Sequence, residues 1–194
     1  MKVTKAQAQA NRAHIVATAS ALFRERGYDG VGISDLMAAA GFTHGGFYKH
    51  FPSKADLLAE AAGCGFAQAA NKAEGVDAAA FVEHYLSRKH RDARAGGCTM
   101  AALSGDAARQ PEPVRAAFAA GVESMLATLA SQADVHGDTQ QDRRLRARRI
   151  EVIAQVVGAI VLSRACPDDS PLADEILDAC RAAALSTLSA SPDA

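Results

Sequence analysis

Glycine and proline divide the N-terminal part of the chain into lengths suited to helices, and this punctuation constrains the fold more than any other feature. Ile15, Ala19, Leu22 and Phe23 fall at i, i+4, i+7 and i+8, one apolar stripe on a helix. The spacing predicts a first helix over Lys5–Arg26. Gly27 ends it as a left-handed residue, and Arg24 and Arg26 face the negative dipole end. Tyr28-Asp29-Gly30 reads as a turn. A second, short helix is expected over about Ile33–Ala40, with Asp35 in its first turn, and Gly41 breaks it. A third, over about Thr43–His50, stops before Pro52, and Ser53 caps a fourth over about Lys54–Ala73.

The remainder stays helical. Segments are expected over about Asp77–His90, Cys98–Arg109, Val114–Ala133, Thr139–Arg164 and Leu172–Ser189. They are separated by Gly96-Gly97, by Pro111 and Pro113, by a loop over Val135–Asp138, and by Pro167 and Pro171. No stretch alternates as a strand does. Aromatics make up 5% of the chain and Trp is absent, which argues against a β-sandwich. Ala and Leu lose least on helix formation. The expected fold class is all-α.

Charge is balanced overall, with 21 Lys+Arg against 22 Asp+Glu, but unevenly placed. Residues 1–54 hold seven bases and three acids, a surplus of four positive charges. The rest of the chain is acidic. A basic end on an acidic body faces a polyanion or is a solvated surface. Cys64, Cys98, Cys166 and Cys180 form no CxxC pair and have no histidines at zinc-ligand spacing, so reduced thiols and no metal are expected. The longest uncharged apolar run, Val152 to Ser163, falls short of the roughly 20 residues that cross a bilayer. A cytoplasmic protein with no membrane partner is expected.

Two short helices joined at a glycine, after a longer amphipathic one, form a helix-turn-helix pattern. Leu36, Met37 and Ala40 on the first can meet Phe47 and Phe51 on the second. The second would then lie in the DNA major groove. Thr43 is expected to cap it and bond a phosphate, and His44 to reach a base edge or phosphate. Gly45 and Gly46 cost about 1 kcal/mol each against Ala in a helix, a cost that close backbone approach to DNA would explain. Tyr48 offers a hydroxyl and a ring, Lys49 and His50 continue the polar face, and Lys54 can clamp a phosphate beside the amides capped by Ser53. His50 fits a core or capping role equally.

Gly27-Tyr28 and the run from Gly41 to Leu58 resemble the DNA-binding domain of the tetracycline-repressor-like (TetR/AcrR) family. The family pattern is roughly AG-V-S-x-G-x-(apolar)-Y-x-H-F-x-(S/T)-K-x-x-L. It is matched at Ala40, Gly41, Thr43 in place of Ser, Gly45, Phe47, Tyr48, His50, Phe51, Ser53, Lys54 and Leu57. Val31 and Gly32 depart from it, standing where the family has Thr or Ser that touches phosphate; Ser34 is the substitute candidate. His44 and Gly46 occupy variable positions of the family that set operator preference.

The resemblance implies two domains, a DNA-binding one over residues 1–55 and a ligand-sensing, dimerising one over 56–194. Its partners would be a double-stranded DNA operator, a small hydrophobic or electrophilic ligand, and a second copy of the chain; no cofactor is implied. The residues lend separate support. Apolar stripes run through Ile150, Ile153, Val157, Ile160 and Val161, and through Ile176, Leu177, Cys180, Ala184, Leu185 and Leu188. These suit either a four-helix interface between two copies or packing within one.

Phe66, Phe81, Tyr85, Met100, Leu103, Phe118, Val122 and Met125 are candidates for an adaptable apolar pocket, and each suits core packing too. Cys98, expected at a helix N-terminus with Arg91 and Arg94 near in sequence, is either a sensing thiol or a small buried filler. The arginines from Arg143 to Arg149 read as a solvated face paired with Asp138, Asp142 and Glu151, or as a second nucleic-acid patch.

The expected function is a DNA-binding regulator, a repressor released from a palindromic operator by an inducer. A variant of it is switched by oxidation or electrophile modification of Cys98. A small helical enzyme is the rival, but no phosphate-cradling glycine loop, HExxH or nucleophile elbow is present.

Overall fold

A computed structural model describes residues 4–130 and 139–190. The elements are α1 (Lys5–Arg26), α2 (Ile33–Ala39), a 3-10 helix (His44–Lys49), α3 (Lys54–Ala73), α4 (Ala78–Tyr85), α5 (Arg88–Asp92), α6 (Thr99–Ala107), α7 (Glu112–Thr128), α8 (Gln140–Ala165) and α9 (Pro171–Ser189). No strand occurs among the described residues. The all-α expectation holds.

The predicted bounds of α1 and α3 are the observed ones because strong local signals end them. Thr4 accepts the Gln7 N–H at 3.2 Å, and Gly27 follows α1 at φ +75°. Ser53 Oγ accepts the Asp56 N–H at 3.2 Å. Three expectations fail on local grounds. The segment over Asp77–His90 is two helices, because Ser87 Oγ donates to the His84 carbonyl at 2.7 Å and accepts the His90 N–H at 3.2 Å, starting α5 afresh. The segment after Gly41 is a 3-10 helix, its bonds running from the Gly46 N–H to the Thr43 carbonyl and from the His50 N–H to the Phe47 carbonyl. Two adjacent glycines in so short a segment leave little to hold a full α-turn. Its N-cap, Thr43, makes no side-chain capping bond. The loop expected over Val135–Asp138 lies outside the described residues.

The chain groups into two units. One takes residues 4–69 and 94–121, the other 70–93, 122–130 and 139–190. A single cut after residue 55 falls inside the first.

The first unit is built on the predicted stripe. Ile15, Ala19 and Phe23 of α1 are fully buried, together with Leu36 and Met37 of α2, Phe47, Phe51, and Leu57 and Leu58 of α3. Ala40 is buried beside them, and Gly41 turns the chain at φ +79°, a conformation that suits glycine. Leu103 and Ala107 of α6 and Val114 and Phe118 of α7 join this core.

The second unit rests on α8 and α9, which pack along each other through Val152, Ile153, Val156, Ala159 and Ile160 against Ala173, Leu177 and Ala184. Of the two predicted stripes, Ile153, Ile160, Leu177 and Ala184 are buried within one chain, whereas Ile150 and Val161 are exposed. Arg91 of α5 is 1% exposed and all its donor nitrogens are engaged. Nε donates to Ser163 Oγ at 2.9 Å, one terminal nitrogen to Asp92 and Asp168 at 2.6 and 3.0 Å, and the other to the carbonyls of Ser163 and Cys166. Thr139 and Asp142 form a capping box that opens α8. Arg146 reaches across to Glu123 of α7 at 2.5 Å, and Arg148 donates to the Ala190 carbonyl. The arginine run is therefore partly a structural one. Asp138 lies outside the described residues.

Candidate nucleic-acid interface

The reading element is amphipathic on the smallest scale. Phe47 points inward and is fully buried, with its ring 5.6 Å from Phe51. Tyr48, the next residue, is 66% exposed and meets the edge of Phe47 at 5.1 Å. The Phe47 anchor thus fixes which face of the element carries Tyr48. Thr43, His44, Gly45 and Lys49 are also exposed, as is Ser34 on the second turn-forming residue of α2. Six of the eight predicted DNA-facing residues therefore present themselves to solvent in one small domain. Acidic groups are absent from His44–Lys49, so a basic and hydrogen-bonding surface results.

The other two are committed inside the fold. Lys54 Nζ donates to the carbonyls of Tyr28 at 2.8 Å and Val31 at 2.9 Å. Two of its three N–H groups thus fasten the turn before α2 to the start of α3. His50 is half-buried, its ring 6.2 Å from Phe42 and 6.3 Å from Phe51, and its carbonyl accepts Arg12 Nε at 3.2 Å.

Arg12 carries no local signal in the sequence beyond its charge. Its guanidinium stacks 4.6 Å over the Phe51 ring and forms a two-pronged pair with Glu60 of α3, one prong at 2.5 Å. The sequence places Arg24 in the last turn of α1, facing the negative dipole end. It lies in that last turn and is also buried, donating to the Ala95 carbonyl at 2.7 Å and Ser20 Oγ at 2.6 Å, with longer contacts to Thr99 and Gln68. None of these acceptors is charged. Burial lowers the Arg24 pKa, opposed by the nearby thiols of Cys64 and Cys98. An i,i+4 spacing from Ser20 was the only local signal, and it says nothing of the distant acceptors.

The candidate ligand residues divide between the units. Phe66, Cys98, Met100, Leu103 and Phe118 belong to the first, where Phe66 and Phe118 meet edge to face at 5.2 Å. Gly121 lies so close to Phe66 that a Cβ there would stand 2.5 Å from the ring. Phe81, Tyr85, Val122 and Met125 belong to the second, with Phe81 and Tyr85 at 5.4 Å. Cys98, Met100, Tyr85, Phe118 and Met125 are buried; Phe66, Phe81 and Val122 are partly exposed. Cys98 precedes α6 directly, at its N-cap. No helix among the described residues is long and apolar enough to cross a membrane, and no group of three or more potential metal ligands occurs among them.

Comparison with known proteins places this geometry. Residues 15–61 match the bacterial regulatory proteins of the tetR family, and residues 75–177 match the tetracyclin repressor-like C-terminal domain. An uncharacterized HTH-type transcriptional regulator of Mycobacterium tuberculosis is 32% identical over 178 residues, spanning 84% of this chain and 89% of the relative. The HTH-type transcriptional repressor DhaR of a Mycobacterium species is 46% identical over 43 residues, 22% of each chain. Among solved structures, reduced NemR of E. coli superposes with a TM-score of 0.70 at 20% identity, over 91% of this chain and 96% of its own. AibR, solved with isovaleryl coenzyme A and operator DNA, gives 0.56 at 17%, over 89% and 97%. These two likenesses concern the fold. The family matches and the Mycobacterium relative identify the chain, which belongs to the tetR family of DNA-binding transcriptional regulators.

Proposed function

We propose that the chain is a repressor that acts as a homodimer on a palindromic operator in the cytoplasm and has no catalytic activity of its own. The observation that carries this reading is the pairing of buried Phe47 with exposed Tyr48, which offers His44, Tyr48 and Lys49 to a groove while the other face stays anchored. Ser34 and Thr43 would bond phosphates, and the third N–H of Lys54 remains available to one. The division of labour is reading by residues 1–55 and sensing and dimerisation by 56–194. Ile150, Val161, Leu162 and Leu172 are large apolar residues left exposed on α8 and at the start of α9, and they support pairing of two copies through that face. A small hydrophobic or electrophilic ligand held by some of Phe66, Phe81, Tyr85, Met100, Phe118, Val122 and Met125 would favour a dimer whose two reading heads no longer match the operator, a shift of population.

Selection of bound sequences from random duplex DNA tests the reading. A palindrome with half-sites about one helical turn or more apart is the expected result, and absence of any enrichment at low salt rejects it. Size-exclusion chromatography with light scattering tests the dimer, and a monomer at micromolar concentration counts against it.

A second reading places the switch at Cys98. Buried Arg24 has only uncharged acceptors and lies within electrostatic reach of Cys98 and Cys64. Cys98, at the N-cap of α6, is the thiol that an oxidant or electrophile would modify. Cys98→Ser separates the two: loss of response to peroxide with operator binding retained supports the thiol switch, and an unchanged response excludes it.

A further inference from the structure

We propose that Arg12 is a positioning residue that fixes the reading element for DNA, an inference that rests on the DNA-binding role of His44–Lys49. That element is held poorly by its own backbone. It has six residues, two of them adjacent glycines, and 3-10 bonding. Phe47 and Phe51 anchor its inner face, but apolar rings leave rotation and sliding open. What closes those freedoms is directional bonding, and Arg12 supplies it at the C-terminal end. There the last carbonyls of a helix lack partners and carry partial negative charge. The Arg12 Nε–H donates to the His50 carbonyl, immediately past the element, at 3.2 Å. The same guanidinium lies 4.6 Å over the Phe51 ring, a cation–π contact. Its two terminal nitrogens are gripped by the Glu60 carboxylate of α3. One planar group emerging from α1 thus joins the end of the reading element to α3, and Glu60 holds that group from turning away. With these donors spent on His50 and Glu60, the Arg12 charge serves the fold in place of a phosphate.

The chemistry makes the position specific for arginine. A lysine ammonium can pair with Glu60, but it lacks the fork that meets both carboxylate oxygens while a third N–H reaches a carbonyl. Arg12→Lys keeps the charge and removes the geometry. Glu60→Gln keeps a hydrogen-bond acceptor and removes the clamp's charge.

The test uses the full chain and both variants, with two independent readouts. The first is hydrogen–deuterium exchange over residues 43–51, whose amides include those of His50 and Phe51 bonded to the Phe47 carbonyl. Exchange there is expected to quicken about tenfold in Arg12→Lys, with α6 and α8 unchanged, the shift of a local opening equilibrium by one order. The second is affinity for the selected operator against scrambled duplex over a salt series. The ratio is expected to fall about tenfold, the worth of one good base contact, with the slope against salt unchanged. Glu60→Gln should move both readouts in the same direction.

Three results overturn the proposal. Unchanged exchange over 43–51 removes the positioning. A rise across α6 as well shows general support of the domain. A salt slope reduced by about one, with discrimination intact, shows a direct phosphate contact. If the wild-type chain enriches no DNA, the DNA-reading role has failed, and the exchange arm still decides whether Arg12 holds the element.

Discussion

The carboxylate of Asp106 accepts the backbone N–H of Tyr28 at 3.0 Å, tying the end of α6 to the turn between α1 and α2. The turn leaves few alternatives. Gly27 stands at φ +75°, and a Cβ there would come 3.0 Å from the same carboxylate oxygen. Tyr28 then drops into the core with its ring edge-on to Phe23 at 5.3 Å. A buried backbone N–H deprived of a charged acceptor costs about 1–3 kcal/mol. Asp106→Ala is therefore expected to lower the unfolding free energy by about that amount, and Asp106→Asn by less, because its amide oxygen still accepts. Urea titration followed by circular dichroism measures both, and equal midpoints for Ala and wild type would refute the tie.

Arg91 makes the equivalent knot in the second unit. It is 1% exposed, and its donors serve two aspartates and the Ser163 and Cys166 region at the end of α8. Asp92 and Asp168 are themselves exposed, so they return to water when the arginine is removed. The Cys166 carbonyl loses the arginine's N–H, and the Ser163 carbonyl keeps the Cys166 N–H at 3.3 Å. Arg91→Ala is expected to cost about 2–4 kcal/mol, a buried network broken at its hub. Arg91 also holds the Asp92 carboxyl below its usual range. That stabilisation is present above the ordinary carboxylate pKa and is lost as pH falls through the lowered value. It is small, because Asp92 is half exposed. The variant should therefore also show a shallower loss of stability in acid, read from melting temperatures across pH.

His90 gives the second unit a different dependence, nearer neutrality. Burial lowers its pKa below 6.5, the Tyr85 carbonyl bonded to Nδ1–H at 2.7 Å works the other way, and Arg164, His84 and Lys72 add to the lowering. Folding therefore favours the neutral ring. Between the lowered value and 6.5 the unfolded chain binds more protons than the folded one, so stability rises with pH across that window. Stability from this group is complete above pH 6.5 and declines as pH falls toward the folded value. His90→Gln, which cannot titrate, is expected to flatten that part of the curve. A slope that persists unchanged in the variant would assign it elsewhere.

Distant partners mark where sequence reading stops. The bounds of α1 and α3 were legible because caps and breakers act within a few residues: Thr4, Gly27 and Ser53 need no distant partner. The buried and exposed faces of the reading element were legible for the same reason, through the phase of Phe47, Tyr48 and Phe51. Arg24, Arg91 and Lys54 were not, since a cation is buried or withheld from solvent only where acceptors wait. Those acceptors lie 71 residues away at Ala95, 72 away at Ser163 and 26 away at Tyr28. Ser87 shows the converse: its capping signal is short-range and present in the sequence, but the apolar spacing of its neighbours runs across it. The ligand candidates, assigned by apolar character alone, divide between two units, and character alone does not say which of them share a cavity.

The adjacent glycines of the reading element set stability against function in a way that can be measured. Neither Gly45 nor Gly46 has the positive φ that excludes other residues. A Cβ on Gly45 would meet nothing within 4 Å, and one on Gly46 would touch Met37 and Thr43 at ordinary contact distances of 3.6 and 3.8 Å. Nothing in the folded chain therefore requires glycine at either position. Alanine should stabilise the domain by about 0.4–1 kcal/mol per site, by reducing the freedom of the unfolded chain. If the backbone at Gly45 approaches the duplex closely, the added methyl group of Gly45→Ala occupies that space, and operator affinity falls while stability rises. Gly46→Ala, whose methyl faces Met37, should stabilise with a smaller loss of binding. Denaturant titration and fluorescence anisotropy on a labelled operator read the two quantities separately. A Gly45→Ala protein that is more stable and binds undiminished would show that close approach to DNA is not what keeps a glycine there.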